Sequence, residues 1–89
     1  MHIVHQIAAG VHEHFMGRTG VTVDREACGD VVIEHRLTRR WLKCYFTPER
    51  IVLQTGVSDR VATVLRRLDY SDPTMLDQLD ELYTSLERG

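Results

Sequence analysis

Apolar residues near the start of the chain recur at helical spacing. Ile3, Val4, Ile7, Ala8, Val11 and Phe15 fall on one face at about 100° per residue. This predicts an amphipathic helix over residues 3–15, with His14 on the apolar side and His2, Gln6 and Glu13 opposite. Gly17 and Gly20 end it. From Val21 the period changes to two, the signature of strands. Four strands are expected: Val21–Glu26, Asp30–Leu37, Arg39–Thr47 and Arg50–Thr55. Their links are Ala27-Cys28-Gly29-Asp30, the residues around Thr38, and Thr47-Pro48-Glu49-Arg50. Gly29 suits a positive φ, and Pro48 suits the second position of a turn. Links this short do not allow parallel crossovers, so the strands should form an antiparallel meander.

After the sheet, closed by Gly56, the spacing of Val61, Val64, Leu65 and Leu68 predicts a second helix, capped by Ser58 and running to about Asp69. Asp72 followed by Pro73 is another helix start. Met75, Leu76, Leu79, Leu82, Tyr83 and Leu86 then mark the most regular helix of the chain. The expected order is α-β-β-β-β-α-α: an α+β fold with a four-stranded antiparallel meander and helices on one face, residues 1–89 forming one domain.

Period-two bookkeeping divides the sheet into two unlike faces. Val31, Ile33, His35 and Leu37 share a side; Leu42, Cys44, Phe46, Ile51 and Leu53 are the matching apolar set. Glu34, Arg36, Trp41, Lys43, Tyr45 and Gln54 fall on the other side. If the helices all cover the apolar face, a mixed basic and aromatic face is left open. Aromatic and arginine side chains there suit partner recognition. They also suit stacking on single-stranded bases with basic groups on phosphates. Cross-strand packing alone accounts equally well for Trp41 and Tyr45, at up to about 1 kcal/mol per pair.

Composition narrows the classes. Hydrophobic content of 43% and charged content of 27% are those of a globular domain. A net charge of −2 gives no overall drive toward nucleic acid or membrane. The charge is unevenly distributed. Arg36, Arg39, Arg40, Lys43 and Arg50 oppose only Glu49 in the central stretch, whereas Asp69, Asp72, Asp77, Asp80, Glu81 and Glu87 oppose only Arg88 at the end. The N-terminal stretch lacks the basic and apolar regions of a signal peptide, and no run approaches the roughly 18 apolar residues of a membrane span. With two cysteines and no CxxC pair, the expectation is a cytoplasmic protein with free thiols.

Candidate chemistry is sparse. His12-Glu13-His14 lacks the i, i+4 histidine spacing of HExxH. His2, His5, His12, His14 and His35 are most simply solvated or hydrogen-bonded residues, and no metal or cofactor is expected. Cys44 should be buried and inert. Cys28 should be exposed, but no base is visible to activate it. Gly17-Arg18-Thr19-Gly20 lacks the P-loop pattern. An enzyme is therefore not expected. The reading that remains is a small protein-binding module, an inhibitor, antitoxin-like factor or adaptor, that covers a partner's surface. Its candidate contacts are Arg36, Arg39, Arg40, Trp41, Lys43, Tyr45 and Gln54 on the sheet and Asp77, Asp80 and Glu81 on the acidic last helix. The alternative is a single-stranded RNA or DNA binder using the same sheet face. The apolar stripe of the last helix also suits pairing with its copy in a homodimer, since a thin core gains from oligomerisation.

Overall fold

The computed structural model describes residues 2–26 and 29–87. The element order is α1 (His2–Phe15), β1 (Val21–Arg25), β2 (Val31–His35), β3 (Arg40–Phe46), β4 (Ile51–Val57), β5 (Arg60–Leu68) and α2 (Met75–Glu87). The fold is α+β, and the strands form an antiparallel meander in the order β1-β2-β3-β4-β5. Among the described residues there are five strands and two helices, where four and three were expected.

The difference lies in residues 58–69. Ser58 does not cap a helix. It has φ of 54° and, with Asp59, forms the turn that returns β4 into β5, where Val57 pairs with Arg60. Val61, Val64, Leu65 and Leu68 satisfy a helical period, but this segment is rich in β-branched residues and has the free edge of β4 to pair with. Strand pairing wins, with register shifts around Gln54 that break the alternation of side chains. Gly56 accordingly lies inside β4 rather than closing the sheet.

The remaining elements match the hydrophobic periods, with ends shifted by a residue or two. Gly29 has φ of 99°, as its turn requires. Thr47–Arg50 is a tight turn around Pro48, closed by the Thr47 amide on the Arg50 carbonyl at 3.0 Å and by the Thr47 hydroxyl on the same oxygen at 2.7 Å. At the end of β2 the chain leaves the sheet at His35, and Arg39 takes φ of 60°. Leu37 sits at the tip of that link and is 89% exposed, so it does not join the core face. Cys28 lies outside the described residues.

Both helices pack on the same side of the sheet. Ala8, Val11 and Phe15 of α1 and Met75, Leu79, Tyr83 and Leu86 of α2 meet Val21, Val31, Ile33, Leu42, Cys44, Ile51, Leu53 and Leu68. Each of these side chains is essentially withdrawn from water, and a full aliphatic burial contributes about 1.5–3 kcal/mol. The Phe15 and Tyr83 rings meet between the two helices, tilted, with centroids 5.5 Å apart. Among the described residues no helix is long and apolar enough to cross a membrane.

Above this core the helices are joined by a polar clasp. The Asp80 carboxylate accepts from Arg18 Nη2 at 2.8 Å and lies 2.9 Å from His14 Nε2. Arg18 also lies over the Phe15 ring at 4.5 Å. Burial works to raise the Asp80 carboxyl, but hydrogen bonds from Arg18 and His14 outweigh it and hold the group below the usual carboxylate range. At the start of α2, Asp72 acts as its expected cap: its Oδ1 accepts the Thr74 amide at 2.8 Å and the Thr74 hydroxyl at 2.7 Å.

Candidate interaction face

Neither helix covers the second face of the sheet. Pairing registers place its residues in rows. Thr22, Glu34, Trp41 and Gly56 form one row across β1 to β4. Asp24, Val32, Lys43 and Gln54 form the next. Tyr45, Val52 and Arg67 form a third.

Trp41 is fixed by its neighbours. It pairs directly with Gly56, and its indole Nε1–H donates to the Ser58 carbonyl at 2.8 Å. The ring lies against the Gly56 backbone so closely that a Cβ there would stand 2.5 Å from Trp41 Cε2. A bare glycine under an aromatic ring lets the indole lie along the sheet without strand separation. Tyr45 is held by its hydroxyl, which donates to Gln54 Oε1 at 2.9 Å. Lys43 reaches over the Tyr45 ring at 4.7 Å and ends on the Glu26 carboxylate at 2.9 Å. That contact with Glu26 raises the Lys43 ammonium above its ordinary value despite the opposing cost of burial.

The expected basic character of the face is largely cancelled. Arg39 faces Glu34 at 3.6 Å, and Arg36 is turned back on β1, donating to Thr22 Oγ1 and the Val21 carbonyl, both at 3.1 Å. Arg40 alternates with Trp41 and so points with Leu42 and Cys44 to the helix side of the sheet. It therefore does not join the aromatic set. Arg36, Trp41, Lys43, Tyr45 and Gln54 do share the open face, with Arg39 at its end.

The acidic helix candidates stand elsewhere. Asp77 and Glu81 are exposed on α2, in the opposite layer, so they cannot belong to one site with Trp41. Asp80 is engaged in the clasp with Arg18 and His14.

Alternation had already put Glu34 on this side; the pairing registers gather further acids around it. Asp24, Glu26, Glu34 and Asp59 surround a concavity of about 410 Å³ whose other walls are Val32, Trp41, Lys43, Tyr45 and Ser58. Alternation along β1 already places Asp24 with Thr22 on the open side. Asp59 arrives only through the β4–β5 hairpin.

Elsewhere, Cys44 is completely buried, and burial together with the Asp30 charge pushes its thiol up to about 12. Such a group is not a nucleophile near neutral pH. Among the described residues no three His, Cys, Asp or Glu side chains converge as a metal site would require. Comparison with family models, curated proteins and solved structures finds no match for this chain.

Proposed function

We propose that this chain is a non-catalytic protein-binding module, an inhibitor, antitoxin-like factor or adaptor, that docks through the open face of its sheet. The observation that carries this reading is the placement of both helices on one side, which leaves an ordered aromatic surface facing solvent on the other. Trp41 and Tyr45 are held by hydrogen bonds to Ser58 and Gln54, so little side-chain freedom is lost when a partner covers them. Tryptophan and tyrosine held in this way are the side chains that most often anchor protein interfaces.

The nucleic-acid alternative has weaker physical support. Phosphate binding needs free cations, and on this face Lys43 is spent on Glu26 while Arg39 is opposed by Glu34. Carboxylates around Trp41 would repel a phosphate backbone. The acidic helix α2, with Asp77 and Glu81 exposed in the opposite layer, is not part of the proposed docking surface.

The test is photo-crosslinking in the native host, with the photoreactive residue placed at Val52 or Glu34 on the open face, or at Asp77 or Glu81 on α2. The reading expects a discrete protein adduct from the first pair and none from the second. Adducts confined to the helix positions, or to nucleic acid, would refute it.

A further inference from the structure

We propose that the open face recognises a basic segment of its protein partner, taking an arginine or lysine side chain into the concavity beside Trp41. This rests on the reading of the sheet face as a protein-docking surface and adds the chemistry of what docks there.

Charge complementarity is the first argument. The concavity is lined by four carboxylates, Asp24, Glu26, Glu34 and Asp59, against one ammonium, Lys43. Glu26 is matched by Lys43 at 2.9 Å. Glu34 is met by Arg39 at 3.6 Å, a loose ion pair, and the Arg39 side chain is 64% exposed and screened by water. Among the described residues no ion pair reaches Asp24 or Asp59. Within the concavity the carboxylates therefore outnumber the cations that reach them, Lys43 and Arg39, and a cation from outside complements the surplus.

The second argument is that the face already holds one cation in this manner. Lys43 pairs across the sheet with Val32, its ammonium stands over the Tyr45 ring at 4.7 Å, and the Glu26 carboxylate receives it. One row away, the larger ring of Trp41 is flanked by Glu34 on the neighbouring strand, with Asp59 in the turn beyond Gly56. The elements of the first arrangement recur there, and among the described residues no cation stands over the Trp41 ring. Tryptophan is the strongest of the aromatic rings in attracting a cation. A concavity of about 410 Å³ accommodates one long basic side chain and part of its backbone.

The third argument concerns shape. The walls are mixed: Val32, Trp41 and Tyr45 supply apolar surface for an alkyl stem, and the carboxylates lie around them. A small metal cation would not use the apolar walls. An acidic or nucleic-acid ligand would meet like charge.

The experiment uses the full chain and three defined probes: a short capped peptide of alternating Arg and Ser, its Glu and Ser counterpart, and a short oligothymidylate. Binding is followed by fluorescence of the single tryptophan and by amide and indole NMR shifts. The arginine peptide is expected to bind, to move the Trp41 indole N–H and the amides of Asp24, Glu34 and Asp59, and to weaken steeply with added salt. The double variant D24N/D59N keeps size and hydrogen-bonding shape at exposed positions. It should fold and bind the peptide roughly tenfold more weakly, whereas D77N/E81Q on α2 should bind as the parent does. The proposal is overturned if the arginine peptide does not bind, if its shifts map to α2, if D24N/D59N binds unchanged, or if the oligothymidylate binds this face instead. If the peptide fails while crosslinks to a protein still arise from Val52 and Glu34, only the basic-segment proposal falls. If those crosslinks are also absent, the docking face itself is refuted.

Discussion

Replacing Gly56 with Ala puts the packing of the open face to its hardest test. The added Cβ would stand 2.5 Å from Trp41 Cε2 and closer still to Trp41 Cζ2 and the Arg60 carbonyl oxygen. The indole can swing away; the Arg60 carbonyl cannot, because it belongs to β5 beside the turn. Relief therefore needs two changes. Trp41 leaves the sheet and gives up its bond to the Ser58 carbonyl, at about 0.5–1.5 kcal/mol. The β4–β5 hairpin opens locally, an overpacking cost of about 1–3 kcal/mol. Together these give a destabilisation of about 2–4 kcal/mol. For a chain of this size each kcal/mol moves Tm by about 4–8 °C, so a fall of roughly 8–32 °C is expected. Urea unfolding reads the first quantity and a thermal melt the second, both followed by tryptophan fluorescence, because Trp41 is the only tryptophan. Its native emission should also shift to the red. A double-mutant cycle with Trp41→Ala should show a coupling of at least about 1 kcal/mol, the Trp41 truncation costing less once Gly56 is already Ala. If G56A unfolds within about 0.5 kcal/mol of the parent, a change typical of unremarkable surface sites, the indole does not lie on Gly56 and the geometry given for the face is wrong.

Asp80→Asn should cost about 0.5–1 kcal/mol at neutral pH, discounted because the group is partly exposed. The folded Asp80 carboxyl lies below its unfolded value, so its contribution is present above about pH 4 and is lost as pH falls through the folded value. The stability gap between parent and variant, from urea curves across pH, should therefore close in acid; a gap that widens in acid would contradict the clasp. Tyr70→Phe removes the hydroxyl that donates to the Thr47 carbonyl and should cost about 0.5–1.5 kcal/mol by urea unfolding. With Cys28 changed to Ser, the Cys44 thiol should not react with a disulfide reagent in the folded protein near pH 8 and should react fully in urea. Rapid native reaction would mean that its burial is misjudged.

Much of this architecture is legible in the hydrophobic pattern, and the exceptions have identifiable causes. The spacing from Ile3 to Phe15 and from Met75 to Leu86 admits only helices, and alternation from Val31 to Leu53 admits only strands. Val61, Val64, Leu65 and Leu68 fit a helix face equally well. What decides in favour of β5 is the open edge of β4, a tertiary fact. The irregular register around Gln54 hides the strand further by breaking its alternation. Ser58-Asp59 has the composition of a helix cap and serves as a hairpin turn, since both roles favour short polar side chains.

The open face was half legible. Trp41, Lys43 and Tyr45 alternate on one strand, so their common side follows from position alone. Arg40 is adjacent to Trp41 in the chain, but strand alternation sends it to the other side. The acids come from separate strands and a turn: Glu34 follows from alternation, while pairing registers and the β4–β5 turn add Asp24 and Asp59 beside Trp41. Counting basic residues along the chain thus suggested a cationic surface, where the assembled sheet presents a mixed one edged with carboxylates. His14 and Asp80 lie at opposite ends of the sequence, and nothing in either segment announces their contact.

The central claim is that the face carrying Trp41 and Val52 is free of the chain's own helices and is the surface a partner covers. Thiol labelling of Val52→Cys, on a Cys28→Ser background with Cys44 inert in the core, measures this directly. Val52→Cys should label in the folded protein and become protected when the protein partner identified by crosslinking is bound, while Glu81→Cys on α2 should label equally in both states. A Val52→Cys thiol that stays unreactive until the protein unfolds, or one that labels equally with and without the partner, would contradict the account.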